Sequence, residues 1–330
     1  MNPATKIATT AGAFVAAGVA AKLLNNRQTE RRRLRRGEDV PFGSVHAASR
    51  KVVSADGIRI NVEVDEPELE APHLPTIVFV HGVICTLDSW HYQRLALRGQ
   101  VRMVFMDQRS HGASDVADRE NSTIENLATD LHAVIDACTD GPVVLVGHSM
   151  GGMTIMQLAA DHPELFGDEQ RVVGVVLLST SSRLPLVSSP IMRRIVPFAR
   201  RAAPAVDWGK GFNSYSVVRR WGLGPNAQER HVDMTNEMIL RAPTRVLTDF
   251  HPMFAELDVR HALETLSLIP TVVVAGTHDS VTPLSHSRRI ADGIKGSSLV
   301  IFEDVGHMAM FEEHVRVTEL IFDLVEKTAR

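Results

Sequence analysis

The sequence predicts an α/β fold, with a mostly parallel central sheet flanked by helices and an inserted helical cap. Short apolar segments with strand character alternate along the chain with segments of helical periodicity. This alternation is typical of a parallel sheet that is covered by helices on both faces. One long stretch, residues 183–245, interrupts the alternation, and we interpret it as the insertion.

The predicted elements follow one another from about residue 50. A turn at residues 55–57 separates two extended segments, 50–54 and 58–64, which predicts a leading hairpin. Apolar runs predict buried strands at residues 76–80, 101–106, 143–146, 172–178, 271–275 and 298–302. Helical spacing, as at Ile124, Leu127 and Leu131, predicts helices at residues 124–139, 153–160, 285–294 and 310–327.

The chain divides into four predicted parts. Residues 1–49 form an apolar helix and an arginine-rich linker, residues 50–182 and 246–330 form the two halves of the core, and residues 183–245 form the cap. The cap carries eleven Lys or Arg against four Asp or Glu, with prolines near its start and glycines in its middle. We expect it to lie over the carboxyl edge of the sheet.

The N-terminal segment allows two interpretations. Residues 7–24 are alanine-rich and uncharged apart from Lys22, and as a helix they would span roughly 27 Å, against about 30 Å for a bilayer core. Six arginines follow between residues 27 and 36. Positive charge on that side predicts a cytoplasmic domain and disfavours a cleaved secretory signal. The segment is either a weak anchor to the inner face of the membrane or a helical tail without membrane contact.

Overall composition excludes some classes of partner. The formal charge of −4 does not favour nucleic acid. Two cysteines, Cys85 and Cys138, in a chain large enough to build its own core are expected to be reduced thiols. We find no pattern typical of a metal site or of a phosphate-binding glycine loop, so the sequence implies no cofactor and no metal.

A serine lies in a pattern that favours nucleophilic chemistry. Residues 147–151 read Gly-His-Ser-Met-Gly, which matches G-x-S-x-G between a predicted strand and a predicted helix. A sharp strand-to-helix turn exposes such a serine, and its glycines avoid clashes in strained backbone. Ser149 is therefore the candidate nucleophile.

A serine nucleophile needs a base and a group that orients the base. In this setting the expected chain order is Ser, then Asp or Glu, then His. Asp279 follows the predicted strand 271–275, and His307 follows the last predicted strand. We assign them as acid and base, while His148 and His278 remain rival bases and Asp304 remains a second candidate acid.

Backbone N–H groups are expected to stabilise the oxyanion of an acyl-transfer reaction. The N–H of Met150, directly after Ser149, is one candidate donor. The N–H of Val83, on the loop that follows strand 76–80, is the other. His81 on the same loop is expected to organise the loop rather than to carry protons.

From about residue 50 to its end the chain resembles the α/β-hydrolase superfamily. The resemblance rests on His81-Gly82, on residues 107–115 (DQRSHGASD), on the motif at 147–152, on Gly276–Asp279 and on Gly306-His307. Residues 107–115 resemble the D-x-R-G-x-G-x-S loop of that family, with Ser110 in place of the usual glycine. A serine nucleophile disfavours the haloalkane dehalogenases and epoxide hydrolases, which use an aspartate.

The resemblance implies ester hydrolysis through an acyl-enzyme on Ser149, Asp279 and His307, with a small acyl ester as the substrate. A carbon–carbon bond hydrolase and a cofactor-free perhydrolase or haloperoxidase-like enzyme would use the same three residues, and both stay open. A non-catalytic binding module is the alternative from another class.

A basic amphipathic stretch at residues 191–203 indicates possible contact with an anionic membrane surface and a lipid-like acyl substrate. The alternative is a cap helix that packs its apolar face on the domain and leaves its arginines in solvent.

Overall fold

A single sheet organises the protein. The computed structural model describes residues 40–68, 73–184 and 190–329. Within these ranges, eight strands form one sheet in the order β1-β2-β4-β3-β5-β6-β7-β8. The strands are β1 (Ser49–Val53), β2 (Arg59–Asp65), β3 (Thr76–Val80), β4 (Met103–Asp107), β5 (Val143–His148), β6 (Val172–Leu178), β7 (Thr271–Gly276) and β8 (Ser298–Phe302). The predicted α/β class is confirmed.

β2 runs opposite to the other seven strands of this sheet. β1 and β2 are antiparallel to each other, and β2 is antiparallel to β4, whereas β3 to β8 pair in parallel. Every residue of β3 and β6 is buried, which matches their nearly continuous apolar sequences. Strands buried on both faces are typical of parallel sheets.

Helices pack on both faces of the sheet and against the edge formed by the carboxyl ends of its parallel strands. They are α1 (His91–Leu97), α2 (Ile124–Cys138), α3 (Met150–Asp161), α4 (Pro190–Val217), α5 (Glu229–Arg241), α6 (Thr244–Glu256), α7 (Ala262–Leu266), α8 (Leu284–Gly293), α9 (Ala309–Glu312) and α10 (His314–Lys327). Ile124, Leu127 and Leu131 of α2 belong to one apolar cluster, whereas Ile321 and Leu324 of α10 belong to a second. Each cluster joins one face of the sheet to its helices.

Two predicted helices differ from the observed ones, and the observed helix α1 had no prediction. The helix predicted at 153–160 begins earlier, at Met150. The helix predicted at 310–327 is divided at Glu313, whose backbone angles (φ −120°, ψ 41°) leave the helical region. Helix α1 was not predicted, because its buried residues include Gln93 and Arg94. Polar residues on a buried face hide the apolar period on which such predictions depend.

In its described residues, the connection between β6 and β7 carries four helices, α4 to α7, and a π-helical turn at Val218–Gly222. α4 and α5 lie within the predicted cap. α6 begins at Thr244 and continues beyond residue 245, the predicted end of the cap. The division of the chain into core and cap stays a prediction.

These helices contact loops at the carboxyl ends of three strands. Arg241 Nη1 lies 3.5 Å from Asp88 Oδ2, on the loop after β3. The Phe250 ring lies 5.7 Å from the His111 ring, on the loop after β4. Beyond β8, the backbone N–H of His307 donates to the carbonyl of Gly222 over 3.0 Å. The helices therefore lie against the edge of the sheet at which Ser149 is found.

The segments predicted to meet a membrane are only partly within the described ranges. The predicted helix at 7–24 and its arginines lie outside the described residues. α4 covers the basic stretch at 191–203, but the side chains of residues 190–200 lie outside those described. In the described parts of the chain, no helix combines the length and the apolar character that a bilayer crossing requires.

Candidate active site

Ser149 occupies a strained turn between β5 and α3. Its backbone angles are φ 52° and ψ −116°, in a region that side-chain-bearing residues rarely adopt. Its N–H donates to Leu178 O over 3.0 Å, and its carbonyl accepts the Thr180 hydroxyl at 2.6 Å. These bonds to β6 and to the residues after it hold the strained conformation in place.

The neighbouring glycines are required by close contacts. A Cβ on Gly147 would lie 2.6 Å from Ile155 Cδ1, and one on Gly152 would lie 2.7 Å from Thr180 Oγ1. A Cβ on Gly151 would overlap the carbonyl oxygen of Val80. The G-x-S-x-G-G pattern therefore reflects the packing of this turn against β3 and against the residues that follow β6.

Asp279 and His307 form a buried hydrogen-bonded pair. His307 Nδ1 lies 2.9 Å from Asp279 Oδ2, and the Asp279 side chain has no exposed surface. The Thr282 hydroxyl donates to the same carboxylate oxygen over 2.8 Å. The backbone N–H groups of Val281 and Thr282 donate to Oδ1 over 2.9 and 2.8 Å. The carboxylate is therefore held from four directions.

These contacts keep Asp279 ionised. Burial by itself would raise the pKa of this carboxyl group, but the charge and hydrogen bond of His307 and the donors from Thr282 outweigh it, so the pKa is lowered. An ionised carboxylate on Nδ1 leaves His307 with Nε2 as the free nitrogen. That arrangement suits an imidazole that accepts a proton from another group.

The rival residues occupy other positions. His148 Nε2 donates to the carbonyl of His307 over 2.9 Å, and burial holds the pKa of His148 well below its usual range. His278 and Asp304 have side chains that are 51% and 52% exposed, and they lie 3.4 Å apart. Asp304 also accepts from Asn226 at 3.2 Å. Of the two candidate acids, only Asp279 bonds to His307.

The two candidate oxyanion donors flank the turn. Met150 is the first residue of α3, so its N–H has no acceptor within the helix. Val83 follows Gly82, and a Cβ on Gly82 would lie 3.0 Å from Ser149 Cβ. The backbone of this loop therefore runs directly against Ser149. Ile84, with φ 56°, turns the chain away immediately afterwards.

His81 joins this loop to the loop after β4. Its Nδ1 lies 2.7 Å from Gly82 O, and its Nε2 accepts from Gln108 N over 3.0 Å. Gln108 in turn donates to His81 O over 2.6 Å and accepts from Thr154 of α3 at 2.8 Å. Burial lowers the pKa of His81 to about 4, so the ring is neutral. This geometry suits a residue that organises the loop.

The remaining candidates have clear positions as well. Cys85 and Cys138 are free and buried, and burial raises the pKa of Cys85 to about 12, so it carries no thiolate near neutral pH. Ser110 has φ 67°, which explains why glycine is usual at that position. Within residues 40–68, 73–184 and 190–329, no group of three or more His, Cys, Asp or Glu is arranged to hold a metal ion.

Two residues beside His307 were not identified from the sequence. Thr282 follows Asp279 by three positions, and a hydroxyl residue at that spacing from a carboxylate on a loop was the signal that could have indicated it. Glu312 bonds to the loop of His307 and to Gly224, in the connection between β6 and β7. Both of its carboxylate oxygens accept backbone N–H groups. Since any residue except proline supplies such a group, no sequence pattern identifies this contact.

The sequence of the core matches a known family. Residues 75–314, most of the chain, match the profile of the α/β hydrolase fold. The chain belongs to the α/β-hydrolase family. Its helices α4, α5 and α6 lie within the matched region.

Individual α/β hydrolases resemble this chain at low identity. The 3-oxoadipate enol-lactonase 1 of Acinetobacter baylyi is 24% identical over 277 residues, which cover 83% of this chain and 96% of that enzyme. The structure of a thermophilic esterase from Thermogutta terrifontis superposes with a TM-score of 0.70 at 26% identity, covering 86% of this chain and 100% of the esterase. The enol-lactonase from Burkholderia xenovorans LB400 shares the fold, with a TM-score of 0.69 at 23% identity and coverage of 84% and 100%.

Proposed function

We propose that this α/β hydrolase cleaves carboxylic esters through an acyl-enzyme on Ser149. The proposal is supported above all by one observation. A serine in a strained, glycine-flanked turn lies at the same sheet edge as a buried Asp279–His307 pair. His148 connects the two, because it directly precedes Ser149 and its Nε2 donates to His307 O over 2.9 Å.

The proposed reaction has two halves. His307 Nε2 accepts the hydroxyl proton of Ser149 while Oγ attacks the ester carbonyl carbon, and the N–H groups of Val83 and Met150 bind the oxyanion. The C–O bond to the alcohol then breaks, and His307 gives the alcohol its proton. Water, deprotonated by His307, attacks the acyl carbon, and the acid leaves as Ser149 regains its proton. Asp279 holds the imidazole tautomer and stabilises its charged form throughout.

Both linear and cyclic esters belong to the proposed substrate class. Similarity to an esterase and to an enol-lactonase supports this choice, because a lactone is an ester closed into a ring. Acyl chain length is the first variable to test, since the helices between β6 and β7 contact the sheet edge that carries Ser149. Contact with an anionic membrane surface through residues 7–24 and 191–203 stays a prediction.

Initial rates on p-nitrophenyl esters of increasing acyl length, and on small lactones, test the proposal. We expect turnover by the wild type, none above background by Ser149→Ala, and full turnover by Ser298→Ala. Ser298 is an exposed serine at the amino end of β8, on the opposite edge of the sheet. Turnover that survives in Ser149→Ala would contradict the assigned nucleophile.

Two further substrates separate the alternatives that share these residues. Ser149-dependent cleavage of vinylogous diketones without ester turnover would indicate a carbon–carbon bond hydrolase. Turnover that requires added peroxide would indicate a perhydrolase. A protein that binds esters but converts none of these substrates would be a binding module.

A further inference from the structure

Two backbone segments cross in close contact beside His307. Residues 222–224 come from the connection between β6 and β7, and residues 304–307 form the loop after β8. A Cβ on Gly306 would lie 2.5 Å from Leu223 Cα, and one on Gly224 would overlap the carbonyl oxygen of Asp304. Glycine is therefore required at both position 224 and position 306, because two backbone segments can approach this closely only where neither residue has a Cβ atom.

One carboxylate joins the two segments. Glu312, the last residue of α9, accepts the N–H of Gly306 at Oε1 over 3.0 Å. Its other oxygen, Oε2, accepts the N–H of Gly224 over 2.8 Å. A third link is direct, since the His307 N–H donates to Gly222 O over 3.0 Å. The backbone of His307 is thus tied to the inserted segment on both sides of the crossing.

The charged groups around Glu312 come from several elements. Asp279, on the loop after β7, adds negative charge, and the exposed pair of His278 and Asp304 lies on the two neighbouring loops. Arg219 lies in the π-helical turn and donates to Gly224 O over 2.9 Å and to Pro225 O over 2.7 Å. It therefore fixes the segment that Glu312 binds without pairing with the carboxylate itself.

Placing the Glu312 carboxylate at this contact has a desolvation cost. Burial raises the pKa of its carboxyl group to about 7, although the N–H groups of Gly224 and Gly306 lower it. A neutral side chain would avoid that desolvation. A carboxylate, however, is acceptor-only when ionised, and the two groups to be satisfied here are both donors.

We propose that Glu312 is a positioning residue for His307. By accepting N–H groups from Gly306 and Gly224 together, it fixes the loop of His307 to the segment that the inserted helices carry. The inference rests on the proposed function, in which His307 is the general base. It goes further by making the placement of that base depend on the insertion, so that a displaced insertion displaces the imidazole as well.

Glu312→Gln is the direct test, with Glu313→Gln as its matched control. The glutamine has nearly the same shape, but its amide nitrogen would face one of two N–H donors and leave it without an acceptor. Glu313 is the adjacent carboxylate and makes no capping bond to α10. We expect kcat on a p-nitrophenyl ester to fall at least tenfold in Glu312→Gln, with KM within about twofold of the wild type, and no change in Glu313→Gln.

Counting the reactive sites separates positioning from loss of folded protein. An alkyl fluorophosphonate labels activated serines, so complete labelling of Ser149 counts the competent molecules. Loss of folded protein would lower the number of labelled sites and leave kcat per site unchanged. Misplacement of His307 would lower kcat per site and slow the labelling by a similar factor. A Glu312→Gln protein with wild-type kcat per site would overturn the inference.

A second pair of variants reaches the same crossing from the other side. Arg219→Gln removes the bonds to Gly224 O and Pro225 O, whereas Arg220→Gln changes the exposed neighbouring arginine. We expect kcat per site to fall severalfold in Arg219→Gln only. If Glu312→Gln does not fold, the two arginine variants test the inference instead. Equal turnover by Arg219→Gln and Arg220→Gln would refute it. Failure of the proposed function would look different, because wild-type protein would then show no Ser149-dependent labelling or turnover.

Discussion

The Thr282 hydroxyl lies 2.8 Å from Asp279 Oδ2 and donates a hydrogen bond to it. The same oxygen accepts His307 Nδ1 at 2.9 Å, while Oδ1 accepts two backbone N–H groups. Each carboxylate oxygen therefore has two partners, and little freedom is left for the side chain to rotate. In the proposed mechanism, Thr282 orients the acid in the way that the acid orients the base.

Thr282→Val should slow ester hydrolysis without unfolding the protein. The change keeps the shape and the backbone donor but removes a hydrogen bond to a charged group, worth about 1.5–3 kcal/mol. If an equal free energy is lost from the transition state, at about 1.4 kcal/mol per factor of ten, kcat/KM should fall roughly tenfold or more. Thr129→Val, at an exposed position of α2, is the control. Equal rates in the two variants would mean that Thr282 has no part in orienting Asp279.

Asp279→Asn should have a much larger effect and should mask that of Thr282. An amide in place of the acid favours the wrong imidazole tautomer, and the equivalent change in a serine protease lowers kcat by a factor on the order of 10⁴. Adding Thr282→Val to Asp279→Asn should then change kcat by less than about threefold, because residues that act as a unit are not additive. Steady-state kinetics of the four proteins measure this, and independent, multiplying effects would contradict a shared role.

Gly151→Ala should be poorly tolerated, because its Cβ would overlap Val80 O at the end of β3. Forced overlap in a packed region lowers the free energy of unfolding by about 1–3 kcal/mol or more. Gly141→Ala is the matched control, since a Cβ there meets nothing within 4 Å. Urea denaturation of both proteins compares them, and similar midpoints would show that the turn can relax.

Asp130→Asn should destabilise the fold strongly. Asp130 and Arg109 have no exposed side-chain surface, and the guanidinium donates to both carboxylate oxygens over 2.6 and 2.7 Å. Removing one partner of a buried ion pair lowers the free energy of unfolding by about 3–5 kcal/mol, and the remaining 2.8 Å pair of Arg109 with the partly exposed Asp56 should keep the loss at the lower end of that range. Asp136→Asn, at a 67% exposed side chain, should have little effect. Urea denaturation distinguishes the two.

Acidification should destabilise the protein through its buried histidines. Burial lowers the pKa of His81 to about 4 and that of His111 to about 3, whereas unfolded histidines titrate near 6.5. The unfolded chain therefore binds more protons than the native one below pH 6.5, so stability that is present above this pH is lost as the pH falls toward 4. Each histidine contributes a slope of up to about 1.4 kcal/mol per pH unit.

His111→Asn isolates one of these contributions. The asparagine amide can replace the donor of His111 Nδ1 to Arg109 O, which spans 2.8 Å. Glu312, with its raised pKa, acts in the opposite sense between about pH 4.5 and 7, but it is common to both proteins and cancels. Urea denaturation from pH 6.5 to 4 gives the free energy of unfolding of both proteins at each pH. The slope of this free energy against pH should differ between them by up to about 1.4 kcal/mol per pH unit, which corresponds to one proton. Parallel curves would indicate that His111 titrates normally.

Much of the core could be predicted because its signals are local. β3 and β6 are continuous apolar runs. The strained turn at Ser149 is indicated by glycines at fixed spacing around the serine. α1 could not be predicted, since Arg94 lies on its buried face and pairs there with Glu63 and Asp65. Those partners lie on β2, about thirty residues earlier, and only the folded chain brings them together.

In the candidate site, too, some residues could be predicted from the sequence and others could not. Ser149, Asp279 and His307 each follow a strand, and parallel strands end at one edge, so sheet topology predicts their proximity. Choosing His307 over His148 depends on chain order in the sequence, whereas in the structure it depends on where each ring nitrogen points. Thr282 bonds to Asp279 three residues earlier on the same loop, so its spacing was a usable signal. Glu312 instead joins Gly306 to Gly224, 88 residues earlier in the chain, and no periodicity encodes that contact.

The crossing of residues 222–224 with the loop of His307 limits how this α/β hydrolase can be re-engineered. Helices inserted between β6 and β7 are an obvious target for exchange between relatives, in the hope of transplanting one enzyme's preference onto another. Here a chimera that replaced the whole connection would also remove Gly222 and Gly224, two of the partners that hold the loop of the proposed base. A graft that retains residues 219–225 and exchanges only the flanking helices would separate selectivity from turnover.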